Sequence, residues 1–269
     1  MESSYLELTY WQVALAAALI VVNGAISVTL RLGLERSLLV GSLRMVVQLL
    51  LVGLVLQWVF QVDRWYVVVG VAAVMTWIAG LTAVQRNHRR YPGMWFDTVI
   101  SVWASSWIVT VYALFVVLHG LDTWYHPQYS IPLLGMVLGN TLNGISIGLA
   151  TFTESLVTRR AEVDTLLALG ATRWEAAQTP IRHALRTGLT PMINSMMIAG
   201  IVSLPGMMTG QLLSGVSPIQ AVKYQIVIMF LISSATALGA TGIVLLGFRR
   251  LFTADHQFLS ARLQTTRPN

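Results

Sequence analysis

Long apolar runs of about twenty residues alternate along this chain with short polar stretches. Such runs match the roughly 20 residues that an α-helix needs to cross the hydrocarbon core of a bilayer. They predict seven spans, at residues 11–30, 38–60, 65–84, 96–118, 131–152, 192–213 and 219–248. The pattern therefore predicts an all-α integral membrane protein in which residues 1–269 form one domain embedded in the lipid bilayer.

The longest polar interruption, at residues 153–191, carries the pattern of a helix that ends in a sharp turn. Val163, Leu166 and Leu167 lie three and four positions apart, which gives this helix an apolar stripe opposite its charged residues. Gly170 follows at the same spacing and can adopt the left-handed conformation that commonly ends a helix. The segment is therefore predicted to fold as a helical loop. A plain connection between two spans is the alternative that its length alone leaves open.

A second helix is predicted directly after this turn. Thr172 precedes Glu175 by three positions, the spacing of a capping box in which hydroxyl and carboxylate bind the free amides of a helix start. Pro180 lacks an amide proton, so it is expected to kink this helix or to limit it to about two turns. Pro191 marks the return to the membrane. The chain is thus predicted to bend at residues 170–172.

The distribution of arginine predicts which side of the membrane each polar stretch occupies. With seven spans and an external N-terminus, fifteen arginines fall on the internal side, while only Arg64 and Lys223 stay outside. Cytoplasmic loops are enriched in basic residues, and a shift by one span would reverse this bias. The loop at 153–191 and a polar tail at 249–269 are therefore predicted to be cytoplasmic. The same distribution argues against nucleic acid as the partner of a chain with net charge +6.

Composition and missing motifs exclude several classes of protein. With 55% hydrophobic and 10% charged residues, the chain is too apolar for a soluble globule, and it contains no cysteine. The sole lysine, Lys223, does not follow a glycine-rich loop, so any ATP that drives this chain is hydrolysed by another polypeptide. No catalytic motif occurs, and the middles of the spans are almost free of the ionisable residues that a proton relay needs. The chain is predicted to be neither an enzyme nor a cofactor-binding protein.

Two predicted spans carry the residues that a transport pathway would use. The span at 131–152 contains small residues and asparagines, a composition that favours either close helix packing or a polar path. The span at 192–213 is interrupted by proline, and a broken helix at membrane depth is tolerated where it is buried in protein or lines a cavity. The candidate pathway residues are Asn140, Asn143, Asn194, Pro205, Met207, Met208 and Gln211.

The identity of any metal ligands stays open at this point. Met207 and Met208 offer thioether sulfur, which suits copper(I) better than iron(II). Adjacent helical residues face about 100° apart, so packing is the simpler interpretation of this pair. His119, Asp122 and His126 could form a weak metal site in a predicted external loop, although a solvated loop is the simpler interpretation.

Several stretches resemble known permeases. The stretch DTLLALGATRW at residues 164–174 resembles the coupling loop of ABC transporter permeases, although that pattern usually begins with Glu-Ala-Ala. Three further stretches resemble the permease subunit of Fet-type iron-export ABC transporters. They are LRMVVQLLLVG at 43–53, GNTLNGIS at 139–146 and GIVSLPGMMTGQLLSGVSP at 200–218. The plant permeases tied to aluminium tolerance are similar.

The resemblance implies a permease in the plasma (inner) membrane that works with a separate ABC ATPase, as a homodimer of permeases with two ATPase copies. It implies export of iron or a related metal, which helps resistance to oxidative stress. The residues that it assigns to ATPase coupling are Asp164, Gly170, Ala171, Thr172, Arg173, Trp174 and Glu175. Without the resemblance, the residues leave open an ATP-independent channel, a membrane scaffold, or an ABC exporter of a lipid or organic solute.

Overall fold

A computed structural model describes residues 9–87, 89–118 and 125–265, which are mostly helical. The helices are α1 Tyr10–Thr29, α2 Glu35–Val62, α3 Trp65–Gln85, α4 Met94–Tyr112, α5 Pro127–Thr158, α6 Arg160–Ala168, α7 Arg173–Ile198, α8 Gly206–Leu213 and α9 Pro218–Leu251. A π-helical turn, Ala113–Val117, continues α4, and a 3-10 turn occupies Ser260–Arg262. Two short strands, β1 Arg89–Arg90 and β2 Gln264–Thr265, pair antiparallel.

Six helices in the described part of the chain are long and apolar enough to cross a membrane: α1, α2, α3, α4 with its π-helical turn, α5 and α9. They match the first five predicted spans and the last one. The prediction of an all-α, multi-pass membrane protein is therefore confirmed. The predicted span at 192–213 is not a single helix, because α7 ends at Ile198 and α8 begins at Gly206. The count of seven crossings stays a prediction.

The break between α7 and α8 has a local cause. Gly200 has φ +82°, a left-handed conformation that glycine adopts without steric penalty. The carbonyl of Ile198 accepts a hydrogen bond from the amide of Val202 at 3.0 Å, which closes a turn instead of continuing the helix. Pro205 has no amide proton and stands directly before α8 in an extended conformation. The interruption predicted from this proline is present, and it extends over residues 199–205.

The expectation that Pro180 limits the second helix of the loop to about two turns is wrong. Helix α7 runs from Arg173 through Pro180 and Pro191 to Ile198. Pro180 is buried against the neighbouring helices. Such packing stabilises a helix even where proline removes one of its hydrogen bonds.

Helix α5 lies at the centre of the bundle and packs against α3, α4, α7 and α9. Its close approach to α7 depends on glycine: a Cβ on Gly188 would lie 3.0 Å from the carbonyl oxygen of Gly144 and 3.1 Å from the Cα of Gly148. In lipid, close packing of this kind supplies much of the energy of helix association. Helices α1 and α2 pack mainly on each other and expose their apolar side chains, as helices facing lipid do.

The helices α3, α5 and α9 finish at one end of the bundle, here called the arginine-rich end. Arg89 follows α3, and Arg159 follows α5 directly. Arg250, near the end of α9, binds the buried carboxylate of Asp97 at the start of α4, with 3.1 Å between Nη2 and Oδ1. This ion pair connects the first turn of α4 to the last turn of α9.

For residues 249–269 the sequence predicts a polar tail, and in the structure α9 continues to Leu251 before the chain turns back. Residues 252–265, here called the C-terminal strap, fold back over the arginine-rich end. Phe252 is buried and stacks on Phe258, with 5.0 Å between ring centroids. Strand β2 of the strap pairs with β1, which lies between α3 and α4. The sequence pattern did not predict that the strap folds back, because Phe252 and Phe258 pack across a turn and not along one face of a helix.

Candidate docking segment and membrane groove

Helix α6, the turn after it and the first turn of α7 form a compact unit, here called the docking segment, at residues 159–175. It lies at the arginine-rich end and packs on the bundle through Val163, which is buried in the main core. Leu166 and Leu167 are half-buried beside it. The apolar stripe predicted for this helix is therefore confirmed, and it fixes α6 against α7.

Gly170 forms the predicted corner. Its φ is +91°, and no atom lies within 4 Å of the position that a Cβ would occupy. The amide of Gly170 donates to the carbonyl of Leu167 at 3.1 Å, and the amide of Ala171 donates to the carbonyl of Leu166 at 3.0 Å. These two bonds are those of a Schellman motif, which ends a helix with a left-handed residue. The position therefore requires glycine for its backbone conformation and not for lack of space.

Thr172 and Glu175 form the predicted capping box at the start of α7. The amide of Glu175 donates to Oγ1 of Thr172 at 3.3 Å, and the amide of Thr172 donates to Oε2 of Glu175 at 2.7 Å. The Thr172 hydroxyl donates to the same carboxylate oxygen at 2.7 Å. The bonds from the Thr172 hydroxyl and amide lower the pKa of Glu175 below its ordinary value, because they favour the charged carboxylate.

The tip of the docking segment exposes large apolar side chains. Leu169 is 80% exposed and Trp174 is 46% exposed. Asp164 is also exposed and forms an ion pair with Arg160, with 3.4 Å between oxygen and nitrogen. Exposed apolar side chains rimmed by charged ones are typical of a surface that binds another protein.

The C-terminal strap and the end of α9 support this tip. Nη1 of Arg173 donates to the carbonyl of Thr253 at 3.1 Å, and its guanidinium lies 5.8 Å from the ring centroid of Phe248. The amide of Arg173 donates to Nδ1 of His256 at 3.1 Å. The ring of Trp174 meets Phe248 edge to face at 5.6 Å. Sequence reasoning identified Arg173 and Trp174, but it did not identify Phe248, Thr253 and His256, which contact them.

A polar groove, here called the open groove, lies between exposed faces of α5 and α7. The exposed polar residues are Asn140, Asn143 and Glu154 on α5, and His183, Arg186, Thr190 and Asn194 on α7. Their helical spacing places each set on one face of its helix. Most of the predicted spans present apolar residues at their surface, so these two faces differ from a surface made for lipid.

At the arginine-rich end, a cleft of about 540 Å³ lies between α5, α7 and β1, and Glu154 and His183 of the open groove line it. Arg89 and Glu154 form an ion pair across it, with 2.5 Å between nitrogen and oxygen. The hydrogen bond that Arg89 donates to Glu154 raises the pKa of Arg89 above its ordinary value. Ser155 is buried, and in the described part of the chain its hydroxyl has no hydrogen-bond partner. Arg159 and His183 also line the cleft.

Arg86 reaches the open groove from the end of α3. Its Nη1 donates to Oδ1 of Asn143, midway along α5, at 2.7 Å. Within the described residues Arg86 has no carboxylate at ion-pair distance. Hydrocarbon would leave the charge of a guanidinium without solvation, so Arg86 requires water or polar groups around it.

The predicted pathway residues fall into two separate regions. The three asparagines lie on the open groove. Pro205 and Met208 line an apolar recess of about 450 Å³ between the helix break and α9. Met207 packs into the core beside α5 and α9, so the two adjacent methionines point apart, as their helical spacing predicts. Gln211 is half-buried, and its side-chain oxygen has no hydrogen-bond partner among the described residues.

The weak metal site considered in the external loop is described only at His126, which precedes α5 and contacts the ring of Tyr129. His119 and Asp122 lie outside the described residues. Within residues 9–87, 89–118 and 125–265, no group of three His, Asp or Glu side chains stands close enough to hold a metal ion.

These features define an all-α, multi-pass membrane protein whose arginine-rich end carries a bent docking segment beside an exposed polar groove. Residues 10–252 match the family described as "Uncharacterised protein family (UPF0014)", and the chain belongs to this family of membrane proteins.

Three relatives show how far the similarity extends. "UPF0014 membrane protein slr1647" of Synechocystis is 39% identical over 228 residues, which cover 85% of this chain and 88% of that protein. "Probable iron export permease protein FetB" of Escherichia coli is 30% identical over 257 residues, 96% of this chain and 97% of that protein. "Protein ALUMINUM SENSITIVE 3" of Arabidopsis thaliana is 32% identical over 244 residues, 90% of this chain and 88% of that protein. The resemblance noted in the sequence is thus confirmed. No solved structure matches the chain.

Proposed function

We propose that this chain is the permease subunit of an ABC transporter that exports iron or a related metal and is driven by a separate ATPase. The observation that carries the proposal is the docking segment, an exposed and internally braced bend at the arginine-rich end of a membrane bundle. The name of one relative, a probable iron export permease, supports iron as the cargo. A chain without a phosphate-binding loop of its own requires a partner to use ATP. Metal efflux of this kind would also lower oxidative stress.

The arginine-rich end is proposed to face the cytoplasm of a plasma (inner) membrane, because basic residues concentrate on that side. An external N-terminus then requires seven crossings, with α7 and α8 together as the sixth. The packing supports this path. His183 of α7 lines the cleft with Glu154 near one end of α5, whereas Met207 of α8 packs near Leu133 at the other end. The chain therefore travels along most of α5 between these two points.

The docking segment is proposed to insert its tip into a groove on the ATPase. Leu169 and Trp174 supply the apolar contact, while the Schellman motif and the capping box keep the bend rigid. The residues proposed to couple the two proteins are Asp164, Gly170, Ala171, Thr172, Arg173, Trp174 and Glu175. Because α7 is continuous from the docking segment to the break at residues 199–205, movement of the tip is carried directly to that break.

Two permeases are proposed to face each other across the open groove, each binding one ATPase. A charged side chain such as Arg86 is not stable against lipid, so a second copy is needed to enclose the groove as a water-filled path. The proposed pathway residues are Asn140, Asn143 and Asn194 in the groove, and Pro205, Met207, Met208 and Gln211 around the break.

Co-purification and ATPase measurements test this function. The full-length chain should copurify with one ATP-binding protein of the ABC class and stimulate its ATPase activity, and Leu169→Ala with Trp174→Ala should abolish both. Leu213→Ala is the matched control, because Leu213 is 66% exposed at the far end of α8. Expression of both subunits should lower cellular iron. A channel or scaffold would bring down no ATPase, and an exporter of lipid or organic solute would leave metal content unchanged.

A further inference from the structure

Most of the charged side chains in the open groove are arginines, and few carboxylates are present to neutralise them. Arg86 reaches Asn143, and Arg186 is exposed on α7, and neither has an ion-pair partner in the part of the chain that the structure describes. Helix α5 contains one carboxylate, Glu154, and Arg89 already binds it. The groove therefore presents excess positive charge along the proposed path.

The cleft at the mouth of the groove continues the same chemistry. Arg159, which forms an ion pair with Glu162, lines it together with His183 and with Arg89, which forms an ion pair with Glu154. The hydroxyl of Ser155, a residue only 7% exposed, also lines the cleft and has no hydrogen-bond partner among the described residues. Guanidinium groups and hydroxyl donors are the groups that bind carboxylate and phosphate oxygens in proteins.

A bare iron(II) ion matches this surface poorly. Iron(II) binds carboxylate and imidazole ligands, and no group of three such side chains stands together within the described residues. The unpaired charges of Arg86 and Arg186 have the same sign as the ion and repel it. A species of opposite charge would instead gain the guanidinium contacts.

We propose that the cargo crosses the open groove as an anion that offers carboxylate or phosphate oxygens to Arg86 and Arg186. For a metal exporter, this means that the metal travels inside an anionic chelate and not as a free cation. The inference rests on the transport role proposed for the groove and specifies the chemical class of its substrate. Ser155 and the arginines of the cleft would be the first groups that the anion meets from the cytoplasm.

Direct binding to the purified full-length chain, without any ATPase, tests this inference. Equilibrium dialysis in detergent would compare radioactive iron–citrate, citrate alone and iron(II) sulfate. We expect iron–citrate and citrate to bind and iron(II) alone not to bind. Arg86→Gln and Arg186→Gln should each weaken citrate binding at least tenfold, whereas Arg86→Lys, which keeps the charge, should retain most of it. Arg64→Gln is the control, because this exposed arginine lies at the opposite end of α3.

Two outcomes would overturn the inference. One is equal or tighter binding of iron(II) alone, or tighter metal binding in the glutamine variants. The other arises from lipid, whose phosphate groups share the same chemistry. If citrate binds in phosphatidylcholine nanodiscs and phosphatidylglycerol displaces it, the groove binds a headgroup and not a cargo. If citrate binds but the chain stimulates no ABC ATPase in the separate ATPase assay, that result contradicts the proposed function and not this inference.

Discussion

Gly170 stands in a left-handed conformation with empty space around it. Its φ of +91° is strained for residues with a side chain, yet nothing lies within 4 Å of its Cβ position. A substitution there acts through the backbone and not through a clash. Since the amides of Gly170 and Ala171 hold the end of α6, the direction of the whole docking segment depends on this one residue.

Gly170→Val is expected to abolish stimulation of the ATPase while the membrane helices remain assembled. The left-handed conformation costs a residue with a Cβ about 1–2 kcal/mol, and a branched side chain tolerates it least. Gly170→Asn should keep most of the stimulation, because asparagine adopts this conformation more readily. The measurement is the ATPase rate with each purified variant, together with its size-exclusion profile. Normal stimulation by the valine variant would contradict the docking role.

The capping box predicts a pH dependence of stability. Because the pKa of Glu175 is lowered in the folded chain, its ionised carboxylate stabilises the fold above the ordinary pKa of about 4.3. That contribution is lost as the pH falls through the lowered value. Wild type should therefore unfold at a higher temperature than Glu175→Gln at neutral pH, and the difference should shrink in acid.

Thermal unfolding in detergent at a series of pH values measures this difference. Thr172→Ser keeps the hydroxyl and the amide, so it should keep the pH dependence of wild type. A gap between wild type and Glu175→Gln that stays constant with pH would show that the carboxylate does not act through its ionised form.

Local spacing was sufficient to predict the helix end at Gly170 and the capping box of Thr172 and Glu175. All of the hydrogen bonds in these two motifs join residues a few positions apart. It was not sufficient for the support of Arg173 by His256, which comes from a distant part of the chain. The same holds for Arg86 and Asn143. No periodic pattern connects residues that only the packed bundle brings together.

At the scale of elements, the contact between α5 and α7 is the one through which we propose that the bundle transmits movement. Gly188→Ala would place a methyl group 3.0 Å from the Gly144 carbonyl oxygen and 3.2 Å from the Gly148 amide nitrogen. Overpacking of this kind typically destabilises by about 1–3 kcal/mol. We expect a lower unfolding temperature and weaker ATPase stimulation. Gly53→Ala on α2 is the matched control, since no atom lies within 4 Å of its Cβ position, and its unfolding temperature should not change.

The break before α8 is expected to matter more for transport than for assembly. Pro205→Ala removes the ring that keeps Leu204 out of the helical conformation, so α8 can extend backward and the break should shorten and stiffen. Metal efflux in cells should fall, while the amount of protein in the membrane and the copurified ATPase should remain. Unchanged efflux in this variant would count against a functional break.

Element boundaries were predicted well where apolar runs are continuous and poorly where proline occurs. The spans that became α3 and α9 match the predictions to within a few residues. Pro180 and Pro205 have the same backbone chemistry, yet one lies inside a helix and the other ends a break. The difference comes from surroundings: Pro180 is buried among other helices, whereas Pro205 follows Gly200, which leaves the helix on its own.

At the scale of the whole molecule, the chain offers a direct test of the proposed dimer, because it contains no cysteine. Asn140→Cys on the open groove should crosslink two copies through a short bismaleimide. Val74→Cys on α3 should not, since Val74 is 58% exposed beside the exposed apolar side chains of Trp77 and Ile78. Crosslinking is read as a band of doubled mass on denaturing gels. Efficient crosslinking at residue 74 and none at residue 140 would place the partner on the wrong face.

The C-terminal strap follows every helix in the chain, yet it braces a segment made much earlier. During synthesis the docking bend therefore lacks the contacts of Thr253 and His256 until these two residues leave the ribosome. The surface that we propose for the ATPase is completed only after helices α1 to α9 have been made. We therefore expect the proposed ATPase to bind the complete permease better than a nascent or truncated chain.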